Sequence, residues 1–239
     1  MDGEAAQLGF WEHVGVLRSG VLFGATVFIV AAILVFSYGG DLLTAKLLSA
    51  APSELVFLSP LGPFLFKMKI AFLGGAFVSL PVWLAFFSRF VGTALPREKR
   101  LVFYGLVAAS FALGAAAIAA AYLYLIPISL DVLSGFTVPG TSLMLTAESY
   151  LSFVLLQMLV SFVVLELPVV IIGLAYLRLL DPAALTSRLR VVFLALLIGL
   201  AVLTPTTDVF TLLIVAVPSF VLCIAALAVA KRVYNRDIS

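Results

Sequence analysis

The sequence predicts an all-α polytopic membrane protein of six transmembrane helices, the last two short, with both termini cytoplasmic. Composition gives the class: 64% of the 239 residues are hydrophobic and 11% are charged, and a mean hydropathy of +1.26 excludes an ordinary soluble domain. Charge spacing gives the spans, because the charges fall between apolar runs at 19–40, 70–87, 101–130, 149–177, 191–204 and 209–230. Backbone groups in hydrocarbon must be paired within the segment, and these runs lack the short alternation of a barrel, so helices follow. Together they read as one integral membrane domain over 1–239.

Cation placement gives the orientation. Eleven of the 14 Lys and Arg, at Arg18 and within 89–100, 178–190 and 231–236, share one side, against Lys46, Lys67 and Lys69 on the other. The positive-inside rule then puts both termini and the loops at 92–100 and 178–190 in the cytoplasm. The net charge of +2 reflects this topology and points to no nucleic acid. An acidic start (Asp2, Glu4, Glu12) with no small-residue cleavage site after the first run predicts no cleavable signal peptide. Cys223 stands alone, so no disulfide framework is expected.

Before the first span, Phe10-Trp11-Glu12-His13 and Leu17-Arg18 have the spacing of a helix lying along the membrane surface, with Trp11 as an interface anchor. His13 is the only histidine and has no second ligand type beside it, so no metal site is expected. After the span, Leu42, Leu43, Leu47 and Leu48 predict a short outer helix, which Pro52, Pro60 and Pro63 then break into turns. The second span contains Pro81 and leads into a charged inner loop at 90–100. There Glu98 stands among Arg97, Lys99 and Arg100. It reads either as a charge favouring the start of the third helix or as a binding carboxylate with aromatic company in Phe90 and Phe103. The third span is small around Gly114, which predicts close helix approach. Thr146 with Glu148 is the start signal of the fourth helix.

The fourth span, 149–177, is about 43 Å of helix with one formal charge, Glu166, near its middle. A carboxylate at that depth costs about 3 kcal/mol on insertion scales, so it should face protein, water or a partner instead of lipid. Pro168 removes a backbone donor and frees the carbonyl of Val164, predicting a kink within one turn of the acid. Gln157 and Ser161 are the other polar groups there. These features point to a functional concavity, against the plainer reading of an acid hydrogen-bonded inside a bundle. The fifth run, 191–204, is only about 21 Å of helix, short of the roughly 30 Å core. Asp208, in the turn after it, reads as a cap for the sixth helix or as a transport residue, and Pro218 predicts a further kink.

A set of pieces recurs in order along the chain: His13 with Leu17-Arg18, LSPLGPF at 58–64 with Lys69 beyond it, Pro81-Val82, Phe90 with Ala94-Leu95, and Glu98-Lys-Arg100. Tyr122 with Pro127, SYLSFV at 149–154, Phe162 with Glu166-Leu-Pro168, and LTPTTDVF at 203–210 complete it. In this order and spacing the sequence resembles the TatC family, the six-span subunit of the twin-arginine protein translocase. The resemblance implies a receptor and no enzyme or cofactor. Its cytoplasmic N-terminal region and first inner loop would bind the twin-arginine signal peptides of folded precursor proteins. The single-span subunits TatA and TatB would assemble with it, in a homo-oligomeric complex of the cytoplasmic (inner) membrane driven by the proton-motive force.

Carried onto this chain, the resemblance makes Glu98, Arg18, Phe90, Glu12 and Leu17 the candidate signal-peptide residues. Glu166, Pro168, Gln157 and Asp208 form the candidate intramembrane polar or partner site. Adjacent guanidiniums are best recognised by carboxylates in bidentate geometry. The family pattern His-Leu-x-Glu-Leu-Arg has Val16 here in place of its glutamate, so Glu98 is expected to carry the main ionic contact, with Glu12, one turn earlier, secondary. Thr93 stands where proline is common and Leu212 where glutamine is usual. A proton-coupled transporter built on Glu166 and Asp208 and a TatC-like scaffold that no longer reads signals stay open as alternatives. A hydrolase or a P-loop enzyme finds no matching constellation.

Overall fold

A computed structural model describes residues 10–49, 51, 55–135, 145–203 and 209–236, and every regular element among them is a helix. Helix α1 (Phe10–Leu34) runs through a π-turn (Val35–Gly39) into α2 (Gly40–Ser49), and α3 spans Gly62–Ala94. Helix α4 (Arg97–Ala120) likewise passes through a π-turn (Ala121–Leu125) into α5 (Ile126–Ser134), after which come α6 (Ala147–Tyr176), α7 (Pro182–Ser187), α8 (Leu189–Leu203) and α9 (Val209–Arg236). Five stretches among the described residues are long and apolar enough to cross a membrane: Leu17–Ser49, Gly62–Thr93, Arg97–Ser134, Ala147–Tyr176 and Leu212–Asn235. Leu189–Val202 is a shorter apolar helix. Only 11% to 33% of their most apolar windows is buried within the chain, leaving apolar surface suited to lipid or to the helices of partners. The chain is an integral membrane protein.

The helices outlast the apolar runs. The first apolar run ends at Gly40, yet the chain stays helical to Ser49, and the expected short outer helix is a direct continuation of α1. A charge such as Asp41 ends an apolar run without ending a helix, since the backbone pairs internally on either side of the boundary. The expectation that both final helices are short is corrected for the same reason. Helix α8 has 15 residues, but α9 has 28, about 42 Å, because it continues through Lys231 and Arg232. Pro81, Pro168 and Pro218 all lie inside helices.

Contacts divide the chain into two units. The first comprises Met1–Lys46 and Pro63–Val107. Within it α1 and α3 pair antiparallel across glycines. A Cβ on Gly75 would lie 2.7 Å from the backbone nitrogen of Ala32, one on Gly24 would lie 2.8 Å from the Trp83 ring, and one on Gly20 would collide with Phe86. Such close approach maximises packing between helices that gain nothing from hiding apolar surface from lipid. Phe28 meets Phe72 edge-on at 4.7 Å.

The second unit comprises Leu47–Gly62 and Ala108–Ser239. Helix α6 is central, with a buried stripe of Tyr150, Val154, Gln157, Val160, Ser161 and Val164 at helical spacing. Val160 and Val164 share a core with Leu200 of α8 and with Val215 and Ala216 of α9, while Tyr150 and Val154 pack on Ile126 of α5. The start of α6 is as expected: the Thr146 side chain accepts from the Ser149 amide. The segment before α3 is tied to it by Val56, which donates to the Leu145 carbonyl at 3.2 Å and accepts from the Ala147 amide at 3.0 Å. Tyr150 adds a hydrogen bond to the Leu47 carbonyl at 2.8 Å. At its other end α6 closes in paired reverse bonds, Leu179 N to Leu174 O and Arg178 N to Ala175 O, with Arg178 left-handed at φ 62° where glycine is usual. The Arg178 guanidinium lies 4.4 Å over the Tyr234 ring of α9. Asp181 then caps α7.

Candidate functional site

In the first unit the end of α3 turns into α4 through only Leu95 and Pro96. The turn is fastened from both sides: the Leu95 amide donates to the Gly92 carbonyl, and the Arg100 side chain donates to the Leu95 carbonyl at 3.0 Å. Gly92 admits the Tyr104 hydroxyl, 2.6 Å from where a Cβ would be. Arg100 is thereby tied to the turn through its Nε–H, and Glu98 projects exposed from the first turn of α4. Among the described residues no ion pair engages Glu98 or Arg18. Phe90 stacks on Phe86, with centroids 6.3 Å apart and planes at 27°. Phe86 in turn presses on Gly20, one turn beyond the exposed Leu17 and Arg18. The fold thus packs Phe86 between Gly20 of α1 and Phe90, and places Glu98 just past the turn that follows Phe90. The Glu12 side chain lies outside the described residues. An exposed carboxylate just past a turn of fixed shape can bind a guanidinium in two-pronged fashion without first displacing an internal partner.

The second unit holds Glu166, half-buried on α6 and about 15 Å from the helix end at Tyr176. The Ser110 hydroxyl of α4 donates to its Oε2 at 2.6 Å. Its Oε1 is buried and has no partner among the described residues. Gly114, one turn along α4 from Ser110, makes the space: a Cβ there would lie 3.0 Å from Oε1 and would collide with the Phe162 ring. Pro168 is in the same helix, half-buried and close in sequence to the acid. Gln157 is not brought to it. Nine residues at about 100° each is half a turn, so Gln157 lies on the opposite face of α6, wholly buried and with neither side-chain polar atom partnered among the described residues. Asp208 lies outside the described residues. Among the described residues no group of three His, Cys, Asp or Glu is placed to hold a metal.

The family described as "Sec-independent protein translocase protein (TatC)" matches residues 12–218. The chain belongs to the TatC family. A TatC protein of Carboxydothermus hydrogenoformans is 27% identical over 238 residues, covering 99% of this chain and 98% of the relative. One of Aquifex aeolicus is 29% identical over 218 residues, covering 88% and 90%. A crystal structure described as the twin-arginine translocase receptor TatC, in the detergent DDM, superposes with a TM-score of 0.78 at 26% identity and covers 92% of this chain and 99% of its own.

Within the TatC fold the residue that sequence reasoning missed is Ser110. It is the one hydroxyl side chain of α4 between Tyr104 and Ala120, in a stretch otherwise of apolar residues. A lone polar residue in one span is the natural hydrogen-bond partner for a lone acid in another. Gly114, four residues on, puts the small surface on the same helical face.

Proposed function

We propose that this protein is the receptor and core subunit of a twin-arginine translocase. It binds the twin-arginine signal peptides of folded precursors and assembles with TatA and TatB, in several copies, for export driven by the proton-motive force. Six spans cross the cytoplasmic membrane, with α8 as the short fifth and both termini inside. On this reading Glu98 takes the main contact with the arginine pair, Arg18, Leu17 and Phe90 line its approach, and Glu12 assists. Glu166, beside Pro168, is the intramembrane partner site.

The observation that carries the reading is the exposed Glu98, unengaged among the described residues, on a short fastened turn in a chain that matches the TatC family over residues 12–218. A carboxylate whose only purpose was to start α4 needs no fixed turn before it. The placement of Gln157 half a turn from Glu166 leaves few polar groups on one face of α6, which disfavours a small-solute transport path along it.

Site-specific crosslinking from the 92–100 loop to a twin-arginine precursor, with a twin-lysine precursor as control, tests the receptor reading. Labelling of the twin-arginine precursor well above the control is expected; equal labelling of both would sink it. For topology, Ser187→Cys should resist a membrane-impermeant thiol reagent applied outside intact cells, and efficient labelling would reverse the orientation.

A further inference from the structure

Where α1 enters its π-turn, the first unit carries a groove of about 470 Å³ lined by Thr26, Val30, Leu34, Val35 and Gly39, with Val78 of α3 opposite. Its lining is apolar throughout, because the one hydroxyl, that of Thr26, donates back to the Leu22 carbonyl at 2.9 Å. From Thr26 to Gly39 the groove follows the helix for about 20 Å, a little more than one leaflet of hydrocarbon, about 15 Å. The groove is open along one side, a form that an extended hydrocarbon chain can follow.

A charged pair stands next to the groove's end. Gly39 is followed by Gly40, whose missing Cβ leaves space for the Lys67 stem 2.9 Å away. Lys67 Nζ lies 2.8 Å from Asp41 Oδ1 and 5.5 Å above the Phe36 ring. The Asp41 side chain is 86% exposed and that of Lys67 33%. An ion pair so exposed contributes little to folding, so both charges are available to a third group.

We propose that this groove is a phospholipid site that selects a zwitterionic headgroup bearing a primary ammonium, as in phosphatidylethanolamine. One acyl chain lies along Thr26 to Gly39, the lipid phosphate accepts from Lys67, and the lipid ammonium donates to Asp41. The chain alone gives no preference, since it leaves hydrocarbon for hydrocarbon. Selection comes from the two charge-assisted hydrogen bonds at the end. A choline headgroup has no N–H to give Asp41. A glycerol headgroup has no cation at all and sets its phosphate against the Asp41 carboxylate. The site is independent of which face of the membrane is cytoplasmic and of signal-peptide binding.

Native mass spectrometry of the detergent-solubilised protein, titrated with phosphatidylethanolamine, phosphatidylcholine and phosphatidylglycerol of identical chains, reads the preference directly. Ethanolamine lipid should bind about tenfold more tightly than choline lipid, as expected for one charge-assisted hydrogen bond. Asp41→Ala, which removes the acceptor, should abolish that preference, and Val30→Trp, which fills the groove, should remove the bound lipid. Should the tryptophan variant fail to fold, Asp41→Ala at its exposed position still decides. Equal binding of the three lipids by the unaltered protein, or a preference that survives Asp41→Ala, overturns the proposal. So does efficient disulfide dimerisation of Val30→Cys in native membranes, which would assign the groove to a second copy.

Discussion

Glu98 and Glu166 are the same functional group in opposite settings. Glu98 projects from the first turn of α4 into solvent and, among the described residues, makes no ion pair. Glu166 lies deep in α6, held by Ser110 through Oε2, with Oε1 facing the gap left by Gly114. An exposed carboxylate keeps its water until a stronger partner replaces it, so its worth appears when a ligand arrives. A carboxylate inside a span has given up water already, so its worth appears in the packing that tolerates it. The comparison teaches where to look for each: Glu98 in a binding curve, Glu166 in stability and assembly.

The largest expected effect is on the exposed side. Glu98→Ala should weaken a twin-arginine peptide about tenfold to hundredfold, the value of a partly desolvated charge-assisted contact. Glu98→Asp should lose less, and Glu12→Ala should have the smaller effect of a secondary group. If Glu98 only favoured the start of α4, the cost would be about 0.3–1 kcal/mol of stability with binding intact. Next is Gly114→Val, whose side chain runs into Phe162 and crowds Oε1; thermal unfolding in detergent should show a loss of about 1–3 kcal/mol. Unchanged stability there would break the view that α4 and α6 are held close for the sake of the acid.

Glu166→Ala, which leaves the Ser110 hydroxyl without its acceptor, should cost about 1–3 kcal/mol and impair export or partner assembly, while Glu166→Gln should preserve folding because an amide oxygen still accepts from Ser110. Full export by the alanine variant would leave the carboxyl without a role. Thr146→Ala, which removes the cap of α6, should destabilise by about 1 kcal/mol in the same unfolding assay. The smallest effect belongs to Arg178→Gly. Relief of the left-handed backbone and loss of the stacking on Tyr234 are each about 1 kcal/mol and oppose one another, so stability should stay nearly constant.

How much of this was legible in the sequence follows from what sequence periodicity can carry. The apolar runs, the Thr146 cap, the close approach at Gly114 and the shortness of α8 are properties of one segment each, and the structure has them as read. Helix ends were less legible, because charges mark where lipid stops and not where the helix does: α9 continues past Lys231, and α1 passes Gly40 on a π-turn. Partnerships between segments were the least legible. Ser110 stands out as the lone hydroxyl of its stretch, but its own segment does not say that its acceptor is Glu166, 56 residues away. Gln157 was grouped with Glu166 because both are polar in one span; counting the helical angle between them would have separated them. At the turn between α3 and α4 the residues were legible in the sequence, and the structure added that the Arg100 side chain donates to the Leu95 carbonyl and that no ion pair engages Glu98 among the described residues.

A double-mutant cycle tests the central claim, that Glu98 reads the arginine pair. The affinities of unaltered protein and Glu98→Ala would be titrated with two labelled signal peptides, one with the twin arginines and one with the arginine pair replaced by glutamines. Coupling of at least about 1.5 kcal/mol, roughly tenfold, is predicted between the glutamate and the arginines. Independent, additive effects of the two changes would contradict the account and remove Glu98 from recognition.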